Sequence, residues 1–259
     1  YYAGVMYNLA GDTTNALKIF TDVLNMGFDG YTYSATSAAN GQPVGFLNKP
    51  EMDKQVGLGI VVDPVVSESF RPDIYKTMLS IYLGMNDTEN FTKYLAIARA
   101  EYPGDIALIN MELQGYLNAE QFDKALAVLD LAIQKDPTNA VYYYVQGYIY
   151  QNSVNDGDKA LEAYGKSLEI DSTNFDCWFS SGKVWYDRGK TIIDEMNKLG
   201  MSKADQAKYD KLKVQKEEKF ANSIPYFNKA HGINPKDKEA VTALWECYRQ
   251  TNNYEKAKE

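Results

Sequence analysis

The chain has 259 residues, 45% hydrophobic and 24% charged, a composition that fits a folded protein of one or two domains and not a disordered one. A net charge of −8 argues against nucleic acid as the main partner, because neutralising phosphates needs a basic field. Two cysteines and one histidine leave no disulfide scaffold, no four-ligand cysteine zinc site and no multi-histidine centre, and no apolar run approaches the roughly 18 residues of a membrane-spanning helix.

Residues 1–30 read as a helix pair. Gly4 and Tyr7 share one helix face, and Ala16, Phe20 and Val23 share another. Residues 31–71 break this pattern. β-Formers flank Asn40-Gly41, a strong hairpin signal, and Lys49–Gly57 reads as a short helix with Pro50 in its first turn. Gly59–Ser69 then reads as extended, interrupted at Pro64. A hairpin, a short helix and a third extended piece are expected here, inserted between helix pairs.

From residue 72 the pairs resume, at 72–105, 106–139 and 140–174. Tyr75, Ile109, Tyr143, Trp178 and Val241 are spaced by 34, 34, 35 and 63 residues. Seven residues after each stands an aromatic: Tyr82, Tyr116, Tyr150, Trp185 and Tyr248. Between them lie Leu79, Leu113, Gly147, Gly182 and Trp245. Phe91, Ala125 and Ala160 keep the same period, as do Leu95, Leu129 and Tyr164, then Ala98, Ala132 and Ser167. Pro103, Pro137 and Pro235 close pairs where a helix must stop. The recurrent tyrosines are therefore expected to pack in the core.

The pair at 175–237 is longer. Its gap from Gly182 to Ser223 is 41 residues, against 12 from Leu113 to Ala125, so 29 are extra, centred on about 190–218. This stretch is rich in helix formers, and the simplest reading elongates both helices into an antiparallel spike protruding roughly 20 Å. Gly200 fits a helix stop, and Ser202 with Asp205 a capping box. Pro225 predicts a kink in the second long helix. Between Lys190 and Lys219 eight lysines face six acidic residues, so the spike is locally basic. Residues 238–259, with Val241, Leu244, Trp245, Tyr248 and Ala257, begin one more pair. Partial pairs at both ends, and a start at Tyr1, lead us to expect a longer intact protein.

These offsets resemble the tetratricopeptide repeat, a helix–turn–helix of 34 residues. The resemblance implies an all-α fold, a right-handed solenoid of antiparallel helix pairs with one β-containing insert and one elongated helical hairpin. The hairpin insert, and the long-helix pair ending in Ile224-Pro225-Tyr226-Phe227-Asn228-Lys229-Ala230, are similar to envelope-associated tetratricopeptide proteins of Gram-negative bacteria. That likeness implies the periplasm or cell envelope.

No phosphate-binding loop, dinucleotide fingerprint, nucleophile elbow, zinc-protease motif or Cys-x-x-Cys occurs. Cys177 and Cys247 fall on neighbouring first helices, offset by about 10 Å along the axes, and are expected to be free packed thiols. His231, at a helix end, suits a surface or capping role. No catalytic residue, metal site or cofactor is expected. The groove face of each first helix remains: Lys76 and Ser80, then Asn110, Gln114 and Leu117, then Tyr144, Tyr148 and Gln151, then Phe179, Lys183 and Tyr186. Aromatics among amides suit an extended peptide, so Asn110, Gln114, Tyr144, Tyr148, Gln151, Phe179, Lys183 and Tyr186 are the candidate partner-binding residues. The carboxylate clamp of some repeat relatives is broken, because Ser80 replaces an Asn and Val141 and Val145 stand at its basic positions. A non-catalytic scaffold for a protein or peptide partner is the leading reading, without nucleic acid or membrane insertion. Recruitment within an enzyme complex and carbohydrate binding remain alternatives.

Overall fold

The computed structural model describes residues 1–28 and 30–256. Ala257, assigned above to the last pair, lies outside the described residues. The chain forms two compact units, Tyr1–Gly115 and Tyr116–Glu259.

In the first unit, α1 (Tyr2–Leu9) and α2 (Thr13–Asn25) make one pair, and α4 (Arg71–Gly84) and α5 (Thr88–Glu101) another, followed by α6 (Ile106–Asn118), which crosses the unit boundary. Between α2 and α4 lie β1 (Tyr33–Ser37), β2 (Pro43–Phe46), α3 (Lys49–Gly57) and β3 (Val61–Val66). The three strands form an antiparallel sheet in the order β2-β1-β3. The third extended piece is thus a strand that returns beside the first. Asn40-Gly41 does not form a two-residue turn: Gly41 alone takes positive φ, and its N–H reaches back to the Ser37 carbonyl. A four-residue loop, 38–41, satisfies the strand twist instead. Tyr33, Ala35, Met52 and Val61 form a small core of their own. The insert leaves and re-enters at one place. Phe70 N–H donates to the Gly30 carbonyl, and Ser67 N–H to that of Thr32. Gly30 has φ +81°, and a side chain there would overlap Ser69 and the Phe70–Arg71 backbone. Arg71 then ties three elements together: it donates to the Phe28 carbonyl, to both Glu101 oxygens and to the Tyr75 hydroxyl.

The second unit holds α7 (Phe122–Lys135), α8 (Ala140–Ile149), α9 (Gly157–Ile170), α10 (Phe175–Met196), α11 (Lys203–Ile233) and α12 (Lys238–Gln250). α8 ends in a π-helical turn, Tyr150–Val154. The sequence explains it. Ten residues separate Tyr150 from Ala160, where nine separate Tyr116 from Ala125. A π turn absorbs one extra residue without rotating the next helix out of register, which accounts for the single 35-residue period.

In three pairs a glycine on the first helix receives a ring from the second. A methyl group at Gly4 would lie 2.6 Å from the Phe20 ring, one at Gly147 2.6 Å from Tyr164, and one at Gly182 2.8 Å from Phe227. In the long hairpin the device repeats, with Gly189 against Phe220 at 2.7 Å. Gly182 and Gly189 step forward by seven while Phe227 and Phe220 step back by seven, the signature of antiparallel helices. α10 and α11 run 22 and 31 residues, against 13 or 14 in α5, α6, α7 and α9. The Ser202–Asp205 capping box is present. Gly200 is not the stop: α10 ends at Met196, capped by Asn197 in right-handed geometry. α11 continues through Pro225, which lies on its exposed face.

The tyrosines divide between two roles. Tyr75 and Tyr82 are buried, and burial pushes both hydroxyls up to about 12. Tyr143 and Trp178 are only half-buried, while Tyr142 takes the core position. Tyr116 and Tyr150 are half-buried too, each under a lysine ammonium, Lys124 and Lys159 respectively, 5.4 Å from the ring centre. Trp185 lies under Arg188 and Lys219, and Tyr248 under Lys256. At least one cation over the aromatic of the second series thus recurs through this unit, with two over Trp185. Val241 and Trp245, at core positions of the period, are exposed.

Cys177 packs with Tyr164 and Val184, and Cys247 with Phe220 and Phe227, in separate cores. Burial raises the Cys177 thiol to about 11 and the Cys247 thiol to about 12. Both are expected to resist a thiol reagent in the native state and to react together in guanidinium, without prior reduction. An intramolecular disulfide found by intact mass would contradict this packing. The glycines give a second check. Gly182→Leu must displace the Phe227 ring and is expected to cost about 2–3 kcal/mol. Gly165, inside α9, has nothing within 4 Å of where a Cβ would stand, and should gain up to about 1 kcal/mol as Ala. Urea melts of both variants read the difference in sign.

Candidate functional site

The first helix of each pair uses one face for its partner, and the other face is left for contacts outside the pair. In the first unit this face carries Lys76, Ser80, Asn110 and Gln114. Lys76 is engaged by Asp73 at 2.9 Å and Asp105 at 3.5 Å. Asn110 and Gln114 are exposed on α6.

In the second unit the candidate residues separate into two places. Tyr144 is half-buried against Tyr164, 6.0 Å between ring centres, and burial raises its hydroxyl pKa. Tyr148 is 49% exposed. Gln151 turns elsewhere: its side-chain oxygen accepts from the Tyr164 hydroxyl at 2.7 Å. It lines a polar cavity of about 560 Å³ with Asn155, Asp156, Arg188 and Thr191. Arg188 is held there by Asp158 at 2.7 Å.

Phe179, Lys183 and Tyr186 do come together, on successive turns of α10. They line an apolar pocket of about 450 Å³ with Phe227 of α11 and Lys238, Glu239, Thr242 and Ala243 of α12. Phe227 is the floor, fully buried under the first repeat glycine of α10. Phe179 lies 5.5 Å from it, and Tyr186 6.3 Å from it and 5.3 Å from Phe220. These rings meet edge-on or tilted, at 55° to 85°, so they lock one another in place. Burial raises the Tyr186 hydroxyl pKa. The rim is charged. Lys183 pairs with Asp187, Lys190 lies over the Tyr186 ring at 5.9 Å, and Lys238 and Glu239 open α12.

The α12 residues are absent from the sequence-derived set, although a signal for them existed. The 63-residue offset that relates Trp178 to Val241 also relates Phe179 to Thr242. Extending the groove face by that offset reaches the far wall of the pocket. Phe227 gave no such signal, because its period marks it as core.

Among the described residues no group of three or more His, Cys, Asp or Glu is placed to hold a metal ion. None of the described helices is long and apolar enough to cross a membrane. His231 is half-buried at the end of α11, with its Nδ1 buried and without a hydrogen-bond partner.

The rings differ in the effect that their removal should have. Tyr148→Ala is expected to change stability by no more than about 0.5 kcal/mol, as for an exposed site. Phe179→Ala also strips a ring contact from Phe227 and should cost about 1–3 kcal/mol. Equal melting temperatures for the two variants would place Phe179 outside the packed wall.

No family model matches the chain. Over 188 residues it is 25% identical to Superkiller protein 3 of Schizosaccharomyces pombe, across 68% of this chain and 13% of that protein. Over 138 residues it is 23% identical to Anaphase-promoting complex subunit 3 of the same yeast, across 53% of this chain and 16% of that protein. The chain thus spans less than a fifth of the length of these two curated relatives. Among solved structures, a tetratricopeptide repeat protein from Parabacteroides merdae aligns over 99% of this chain and 73% of its own, with a TM-score of 0.57 and 11% identity. MamA protein aligns over 72% of this chain and 85% of its own, with a TM-score of 0.55 and 14% identity. With the repeat register and the glycine–ring pairs, these likenesses show that the chain has the tetratricopeptide-repeat fold, an all-α solenoid of helix pairs interrupted by one small sheet.

Proposed function

We propose that this chain is a non-catalytic protein-recognition scaffold that holds an extended segment of a protein partner between α10 and α12. The observation that carries this reading is the pocket itself. It is concave, walled by mutually locked rings and open at its rim, and it is built where the partly buried rings of α10 that pack on Phe227 remain accessible beside α12. A preformed apolar pocket keeps the ordering cost of binding low. Tyr144 and Tyr148 extend the candidate surface within the same unit, and Asn110 and Gln114 offer a polar face in the first. Anaphase-promoting complex subunit 3 is by its name a member of an assembly, which supports a scaffold role here. The hairpin insert and the long-helix pair favour a place in a bacterial cell-envelope assembly, in the periplasm.

Two measurements test this. Osmotic-shock fractionation of the native host should release the protein with the periplasmic contents, and recovery with the cytosol would overturn the location. Thr242 lines the pocket and is exposed, so Thr242→Trp should fill it without disturbing the core. Partner capture should fall roughly thirty-fold, the loss of one interface anchor worth about 2 kcal/mol, at an unchanged melting temperature. Capture that survives Thr242→Trp but is lost in Lys208→Glu with Lys211→Glu would move the contact surface to the spike.

A further inference from the structure

We infer that the α10–α12 pocket takes an acidic peptide, one that inserts a single aromatic or large aliphatic side chain beside an Asp or Glu. This deepens the groove reading and rests on it. The floor is apolar, from Phe179, Tyr186, Phe227 and Ala243, and the volume of about 450 Å³ holds one large side chain with its flanking backbone. The rim is where the choice of partner is made. Three lysines, Lys183, Lys190 and Lys238, face two carboxylates, Asp187 and Glu239. Asp187 is committed to Lys183. Lys190 rests on the Tyr186 ring, and no ion pair among the described residues engages Lys190 or Lys238. Lys238 is also the first residue of α12, whose N-terminus is already capped by the Asp237 carboxylate on the Ala240 N–H, so the basic character of the rim comes from the lysine side chains themselves.

The chain as a whole is −8, which on its face would repel an acidic segment. Distance decides against that. At physiological salt, charges more than about 8 Å away are largely screened, while the rim lysines meet a bound carboxylate directly. A basic segment would instead bring its cation beside two unpaired lysines, Lys190 and Lys238, with Glu239 alone left to offset them. The rings also argue against a sugar. Phe179 and Tyr186 lie at 55° and 76° to the buried Phe227, and Phe179 already stacks on Phe175 at 14°, so these rings are committed to one another and not to a sugar face.

The test is selection of a displayed library of random twelve-residue peptides on the immobilised protein, with counter-selection on Thr242→Trp. Enriched peptides should carry Phe, Tyr, Trp or Leu next to Asp or Glu. Their affinity should fall about tenfold or more in Lys190→Glu with Lys238→Glu, and should weaken with added salt. Circular dichroism melts of each variant establish that it is folded. Enrichment of neutral or basic peptides that Thr242→Trp still excludes would overturn the acidic partner and leave the groove reading standing. Peptides that bind Thr242→Trp as well as the parent, or no enrichment above the counter-selection, would overturn both.

Discussion

One contact sets the geometry on which the rest of this protein depends: a glycine on the first helix of a pair receives an aromatic ring from the second. At Gly4, Gly147, Gly182 and Gly189 even a methyl group would press into the opposing ring. The missing Cβ lets the two helices approach closely, and the ring fills the space between them, so backbone approach and core filling are solved together. Where the first helix carries Leu79, the second offers Leu95 at the ring position in the same core, conserving volume by exchanging sizes. Phe91 stands where other pairs have Ala or Ser, and Gly115 on the next helix makes room for it, 2.6 Å from where its own Cβ would be.

The three irregularities are tolerated because each leaves that contact untouched. The β-containing insert closes on itself through the Phe70–Gly30 and Ser67–Thr32 hydrogen bonds and packs a private core. It therefore adds loop length, whose entropic cost grows only slowly, without prising a helix pair apart. The extra residue after Tyr150 is absorbed in a π turn, which keeps Tyr164 seated on Gly147. The long hairpin extends both helices together and repeats the glycine–ring pair one heptad further out. Its register is pinned twice, at Gly182 and at Gly189.

The candidate site is a by-product of the same arrangement. A helix that commits one face to its partner leaves the opposite face to line the space beside the next pair. In the second unit that space is walled by α10 and α12 and floored by Phe227, the ring that fills the pair contact. Structure and recognition thus share a side chain. Phe227 cannot be removed to test binding without loosening the fold, which is why the exposed Thr242 and the rim lysines are the positions where function can be probed.

The sequence by itself determined the repeat, the pairing of the helices, the place of both insertions and the capping box at Ser202. These features rest on local periodicity: faces three, four and seven residues apart, and turn and cap residues at fixed offsets, need no knowledge of distant contacts. It also placed Phe179, Lys183 and Tyr186 on one face of α10. Tertiary structure alone decided the rest. The second partner of β1 is β3, because a lone hairpin cannot bury Val61 and Met52. Tyr142 and not Tyr143 enters the core, and a lysine on a neighbouring element covers Tyr116 or Tyr150. Gln151 turns away from the groove to Tyr164. Thr242 and Ala243 complete a pocket begun on α10. A periodic pattern states which face a residue occupies. Which neighbour meets that face depends on inter-helix distances that no single helix encodes, and those are fixed by side-chain volumes summed over both partners.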